Sequence, residues 1–268
     1  MAGVLTSCKK ENVTVDKEAM KVSAAQFLPH SGNHRVTYYI GSNGASFKIP
    51  VSMTDVSNVD RTLQFTYSSR TAIAGTQYNA PSSVVIKAGS SIDTLAVQGL
   101  FAGYPSANRV DTLKIKFTTS VKAIVLKDSV EVIMRKYCEP VLSSLQGLYA
   151  RTNEYSSAGA FSYGPYNTAL KNASSSGTNM ATALLENLYD DGWSDINCTL
   201  DWTNPANFKV TIPLQPTGSP NRSVRTSVAS GAVSTFSACD NTITLDIDIL
   251  NTSTGAVLSS KYRIVMAR

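Results

Sequence analysis

Apolar and polar residues alternate with a period of two through much of this chain. Phe47, Ile49, Val51 and Met53 share one face while Lys48, Pro50, Ser52 and Thr54 share the other, and Leu63, Phe65 and Tyr67 repeat the pattern against Thr62, Gln64 and Thr66. Successive side chains of a strand point to opposite faces of its sheet, so these runs predict half-buried strands. Leu113, Ile115 and Phe117 form another, and Val130 and Val132 lie in a strand ending near Arg135. The connecting segments Gly41-Ser42-Asn43-Gly44, Asn79-Ala80-Pro81, Ala88-Gly89-Ser90 and Gly103-Tyr104-Pro105 carry turn residues. About seven strands in roughly 110 residues predict an antiparallel sandwich.

The alternation breaks at Tyr137-Cys138-Glu139-Pro140, where Pro140 lacks the N–H a sheet ladder needs, and a second strand-rich unit begins. Residues 148–155 read as its first strand, 161–170 as its second, and 181–188 as a third strand or a short helix. Phe208, Val210 and Ile212 alternate with Lys209 and Thr211. Ile243, Leu245, Ile247 and Ile249 alternate with Thr244, Asp246 and Asp248, and residues 258–266 are again extended. With a Gly, Ser and Pro-rich stretch over 215–235, this unit fits a small antiparallel barrel or sandwich. The expected organisation is a tether over 1–19, a β-sandwich over 20–136 and a second β unit over 137–268, with both folded units all-β.

At 268 residues, with 43% hydrophobic and 16% charged residues, the chain is long and apolar enough for two cores. The net charge of +5 does not indicate nucleic acid, because the basic residues are dispersed and several, such as Lys114 and Lys116 around Ile115, fit a solvated strand face. After Cys8 no apolar run approaches the roughly 20 residues of a spanning helix.

Leu5-Thr6-Ser7-Cys8 resembles a bacterial lipobox, in which an aliphatic residue and two small ones precede the cysteine that receives lipid. The polar stretch that follows, Lys9 to Asp16, suits a tether between a lipid and a folded body. Seven residues precede Cys8, fewer than the charged and apolar regions of a complete signal peptide occupy. With Cys8 assigned to lipid, Cys138, Cys198 and Cys239 remain. They form no CxxC and have no neighbouring His, so zinc is not expected. Cys198 and Cys239 could pair in an oxidising compartment, but spacing does not fix the connectivity.

Thr71-Ala72-Ile73-Ala74-Gly75-Thr76-Gln77-Tyr78, followed by Val84-Val85-Ile86-Lys87-Ala88-Gly89, resembles the Calx-β-like module, an immunoglobulin-like sandwich. Such modules accompany a second β domain in surface lipoproteins of the Sus-type glycan-acquisition group, and the order of parts here is similar to that group. Asn207 to Gln215 and Cys239 to Leu245 resemble the lipocalin-like C-terminal domains of those proteins. The resemblance implies an outer-membrane or cell-surface location, and glycan, an outer-membrane transporter or another surface protein as partner. Gln77 stands where the Calx-β pattern has Asp, and a carboxamide offers only a neutral oxygen, so calcium is not expected in the first unit. Asp93-Thr94-Leu95, Asp111-Thr112-Leu113 and Asp128-Ser129-Val130 are similar to an O-glycosylation acceptor of the same bacteria; ordinary strand alternation also accounts for them.

Catalysis finds little support. His30 and His34 lie in one loop with neither a nucleophile elbow nor a zinc helix, and Glu154, Glu186 and Asp201 follow no spacing that selects a glycosidase pair. No enzymatic activity and no cofactor are expected. The strongest binding candidate is Tyr189-Asp190-Asp191-Gly192-Trp193-Ser194-Asp195. Sugars stack their C–H faces on aromatic rings while carboxylates accept hydroxyl hydrogen bonds, and Tyr189, Trp193, Asp190, Asp191 and Asp195 bring both chemistries together. The same residues also fit a structural role, with Trp193 capping the barrel, and the carboxylates could hold Ca²⁺ with loop carbonyls. The reading is a non-catalytic, lipid-anchored surface protein binding glycan through its second unit, or alternatively a structural or assembly lipoprotein contacting a partner protein.

Overall fold

The computed structural model describes residues 23–28, 34–118 and 124–268, with backbone alone at 124–127. Cys8, the tether and His30 lie outside the described residues. The fold is all-β, and the chain separates into two compact units. One holds the described residues up to Tyr38 with Ser46–Gly99 and Asp111–Ile133; the other holds Tyr39–Ala45, Leu100–Val110 and Met134–Arg268.

Two five-stranded sheets form the first part of the chain. One has the order β5 (Tyr78–Asn79), β7 (Ile92–Gly99), β3 (Ser46–Met53), β1 (Ala24–Phe27) and β9 (Ile124–Lys127). The other runs β2 (Arg35–Ile40), β10 (Ser129–Lys136), β8 (Val110–Phe117), β4 (Arg61–Ser68) and β6 (Ser83–Ile86). The alternating residues supply the interior as the pattern requires: Ile49 and Val51 of β3, Leu63 and Phe65 of β4, and Leu113, Ile115 and Phe117 of β8 are all buried. Phe27 of β1 meets Phe117 and Phe65 of the other sheet with ring centroids 4.3 and 5.9 Å apart, so the two sheets share one aromatic core. Gln77 is buried, and its side-chain oxygen accepts the Ile73 N–H at 2.9 Å, so the carboxamide braces the turn that leads into β5.

In the second unit α1 (Leu142–Leu145) leads into β11 (Gly147–Tyr155), β12 (Phe161–Gly177), β13 (Met180–Glu186), β14 (Ile196–Asp201) and β15 (Lys209–Thr211). After them come β16 (Gln215–Pro216), β17 (Arg222–Thr226), β18 (Thr235–Ser237), β19 (Thr242–Asn251) and β20 (Val257–Ala267). Each of β11 to β14 pairs antiparallel with the next, β15 meets β18, and β18 pairs with β19. The β20 strand pairs with both β19 and β11, which closes the ring of strands into a barrel. Its interior is filled by Leu170, Leu185, Leu200, Ile243, Leu245, Ile247, Ile264 and Met266, among others.

Several expectations change here. Residues 181–188, open between strand and helix, belong mainly to β13. The stretch 215–235 is not simply a loop: β16 and β17 pair within it, and β17 adds to β19. Asp246 and Asp248, which the alternation puts on the face opposite the core residues, are buried, because residues 227–234 fold over that side of β19. Asp246 takes Arg263 at 2.7 and 2.9 Å and the Val233 N–H at 2.7 Å. Asp248 takes Ser260 at 2.9 Å, the Lys261 and Val228 N–H groups at 3.2 and 3.3 Å, and Arg225 at 3.3 Å. Burial pushes the Asp248 carboxyl up, yet these hydrogen bonds outweigh it and hold the group below its ordinary value.

The cysteine pairing also differs from expectation. Cys138 bonds Cys239, with Cα atoms 5.3 Å apart, whereas Cys198 is free and buried in the barrel core. Cys198 faces inward on β14 between Ile196 and Leu200. Burial pushes its thiol up to about 12. Among the described residues no helix is long and apolar enough to cross a membrane.

Candidate functional site

The loop singled out in the sequence joins β13 to β14 at one end of the barrel. It is tightly turned: Asn187, Tyr189, Asp190 and Gly192 all have positive φ, at 54, 73, 40 and 65°. For Tyr189 and Asp190 that conformation has a steric cost, met by fixed contacts around them. The Tyr189 N–H donates to the Tyr166 hydroxyl at 3.1 Å, and the Asn187 side chain donates to Asp190 at 2.9 Å and to the Asn167 carbonyl at 2.8 Å.

Of the two roles open to Trp193, stacking on sugar and capping the barrel, the structure shows the second. It is 5% exposed and belongs to the barrel core, with Tyr189 stacked on its ring at 4.9 Å and 26°. A residue that close to a strand start, flanked by the hydrogen bonds of Ser194 to Thr217, is drawn inward over the open end of the barrel. Trp193 therefore caps the core and offers no free face for stacking, so its candidacy as a sugar platform fails and the capping role holds. Asp195 is exposed immediately before β14 and shares no hydrogen bond with the other candidates among the described residues. Asp190 and Asp191 are exposed, but both are held by protein donors: Asp190 by Tyr163 at 2.8 Å and by Asn187, Asp191 by Arg222 at 3.0 Å. Among the described residues no group of three or more His, Cys, Asp or Glu is arranged to hold a metal.

What the loop meets comes from distant strands. Glu154 of β11 is 3% exposed and accepts the Tyr166 hydroxyl at one oxygen and the Tyr262 hydroxyl at the other, both at 2.8 Å. Tyr262 also contacts Ser162 at 2.9 Å, and its ring stands edge-on to Tyr189 at 5.4 Å. Burial pushes the Glu154 carboxyl up; the two phenol hydrogen bonds pull it back, and the charges of Asp190 and Asp191 push it up further. Tyr262 is pushed up to about 12, chiefly by burial, and Tyr166 rises for the same reason. The result is a hydrogen-bonded base under an exposed rim.

That rim holds Phe161, 61% exposed, and Tyr163, 51% exposed, on β12. Phe161 packs edge-on to Tyr155 at 6.0 Å, and Tyr163 lies 5.7 Å from Tyr166. Between Tyr163 and Tyr166 the chain passes Gly164, where a Cβ would come within 2.6 Å of the Thr152 carbonyl oxygen. Only glycine lets β12 approach β11 this closely, and its φ of 120° needs the same freedom. The segment 161–166, with its three aromatics Phe161, Tyr163 and Tyr166, lies in the stretch that the sequence reads as the second strand of this unit. Glu154 and Tyr262 carried no local signal, since pairing of β11 with β20 brings them together across 108 residues.

His34 lies before β2, with its Nδ1 3.2 Å from the Ser129 carbonyl oxygen. Of the three acceptor-like tripeptides, Thr94 is exposed on β7, whereas Thr112 and Ser129 are half-buried on β8 and β10.

No family model and no curated protein matches this chain. Among solved structures it is similar to the apo-form CBD1 domain of Calx at 14% identity and a TM-score of 0.35, covering 43% of this chain and 98% of that one. A protein of unknown function from Bacteroides ovatus is similar at 13% identity and a TM-score of 0.35, covering 94% and 92% of the two chains. An auxiliary nutrient binding protein from Bacteroides thetaiotaomicron is similar at 13% identity and a TM-score of 0.30, covering 87% and 89%.

Proposed function

We propose that this chain is a non-catalytic protein, held at the cell surface or outer membrane by lipid on Cys8, whose second unit contacts glycan at the rim of Phe161, Tyr163, Asp190 and Asp191. The observation that carries this reading is the exposure of two aromatic rings beside two exposed carboxylates whose positions are fixed by Tyr163, Asn187 and Arg222. Rings with free apolar faces suit the C–H faces of sugars, and preset acceptors suit their hydroxyls without a further ordering cost on binding. Tyr189 contributes beneath the rim, stacked on Trp193, while Asp195 stands apart.

A glycan array followed by calorimetry on the full chain tests the site. Tyr163→Ala should weaken binding by about 1–3 kcal/mol, by analogy with base stacking on aromatic platforms, and leave the melting temperature nearly unchanged. Trp193→Ala should instead cost about 3–5 kcal/mol of stability, as expected for a large core side chain. Binding that survives both Tyr163→Ala and Phe161→Ala places the ligand elsewhere. Lack of any glycan hit favours the second reading, an assembly protein that meets an outer-membrane transporter or other surface protein. For the anchor, Cys8→Ala in the native precursor should move the protein out of the membrane fraction.

A further inference from the structure

A cleft of about 270 Å³ opens in the second unit beside the Cys138–Cys239 disulfide, formed by residues the glycan rim does not use. We propose that it is a separate binding site for a small polyhydroxylated carboxylate of the hexuronic acid kind. This inference does not rest on the function proposed for the rim.

Four features point to that ligand. The volume lies just below the ~300–1,000 Å³ of ordinary ligand pockets, enough for one sugar ring and not for a chain of them. Its walls are preset: Cys138 and Cys239 both line it, and their bond ties together segments 101 residues apart. One side is aromatic, with Tyr137 edge-on to Phe208 at 5.9 Å and Phe208 against Phe236 at 5.2 Å. The rest of the lining mixes small apolar residues, such as Pro205 and Ala238, with mostly neutral polar groups, including the carboxamides of Asn108 and Asn207 and the hydroxyls of Thr242 and Thr244 on β19.

The charge in the cleft selects among sugars. Arg135, half-buried in the lining, pairs with no carboxylate among the described residues. Its neighbour Lys136 is already committed, donating to the Tyr104 carbonyl at 2.8 Å with its ammonium 4.6 Å from the centre of the Phe101 ring. A guanidinium presents a planar fork that matches a carboxylate in two parallel hydrogen bonds, and Arg135 lines the cleft with no carboxylate paired to it among the described residues. Asp240, the acid in the lining, is turned to the Ser237 hydroxyl at 2.8 Å and keeps acceptor capacity for a sugar hydroxyl. Its negative charge beside a single available cation favours a singly charged ligand over a polyanion.

The test is calorimetry on the full chain with its disulfide intact, using glucuronate and galacturonate against glucose and galactose. The uronates should bind about tenfold or more tightly than the neutral sugars, as a charge-assisted pair implies, and the preference should shrink with added salt. Arg135→Gln should abolish the preference. Arg135→Lys, which keeps the charge without the fork, should lose most of it, and Tyr163→Ala should leave it unchanged. Lack of uronate binding by the wild type, or a preference retained in full by both Arg135 variants, overturns the proposal.

Discussion

At the scale of single residues, Glu154 sits in an environment far from that of an exposed side chain. It is an acid with a carboxyl pushed up by burial and by the charges of Asp190 and Asp191, and only partly restored by Tyr262 and Tyr166. An acid with a raised folded-state value binds more protons folded than unfolded, so its contribution to stability is fully present below the unfolded value of about 4.5 and is lost as pH rises through the folded one. Glutamine has no proton to lose. The melting temperature of Glu154→Gln minus that of the wild type should therefore rise as pH climbs above about 4.5 and level off below it. Taking the difference removes Asp248 and Asp55, whose lowered values contribute stability of the opposite pH dependence. A difference that stays flat with pH, followed by circular dichroism, would sink this account of Glu154.

At the scale of elements, β19 shows both the reach of the alternating pattern and its limit. Ile243, Leu245, Ile247 and Ile249 face the barrel core as their spacing predicts. Spacing says only that Asp246 and Asp248 share the other face; that a polar segment covers them depends on pairing far along the chain. Asp246 is fully buried in a bidentate pair with Arg263 and also holds the Val233 N–H. Asp246→Ala removes the acceptor of the Val233 N–H and the partner of Arg263, whose part-exposed guanidinium stays solvated, so stability should fall by about 1–3 kcal/mol, and proteolytic nicking should begin within 227–234. An unchanged digestion pattern would show that the segment is held without this carboxylate. The same limit explains the rest of what the sequence left hidden. The β3, β4 and β8 strands were legible because each repeats its alternation several times. The β16 and β17 strands were not, being two and five residues long in a stretch of Gly, Ser and Pro. The candidate loop could be recognised from its aromatic and acidic residues, but the inward turn of Trp193 and the base of Glu154, Tyr166 and Tyr262 arise only once the barrel closes.

At the scale of the whole molecule, the composition of each part bears on whether it folds by itself. Residues 138–268 contain every strand of the closed barrel, its core residues from Leu145 to Met266 and both cysteines of the disulfide. The second unit also includes Tyr39–Ala45, Leu100–Val110 and residues 134–136, which such a fragment lacks, together with Tyr137 and its ring contacts to Tyr39 and Phe208. These losses fall outside the barrel core. We therefore propose that 138–268 and 20–136 are separate folding units, and expect each fragment to unfold in a single cooperative transition. In the barrel fragment the disulfide constrains the unfolded chain over a separation of 101 residues, and its removal should cost about 2–5 kcal/mol. Reduction should accordingly lower the barrel fragment's melting temperature and leave that of 20–136 untouched, because both bridged cysteines lie on one side of the cut. Peptide mapping should find Cys198 unmodified by thiol reagents in the native fragment and labelled only on unfolding, since its buried thiol is inaccessible and strongly disfavours the reactive thiolate. If neither fragment folds, the division at Cys138 fails, and the residues of 39–45 and 100–110 become necessary parts of the second unit.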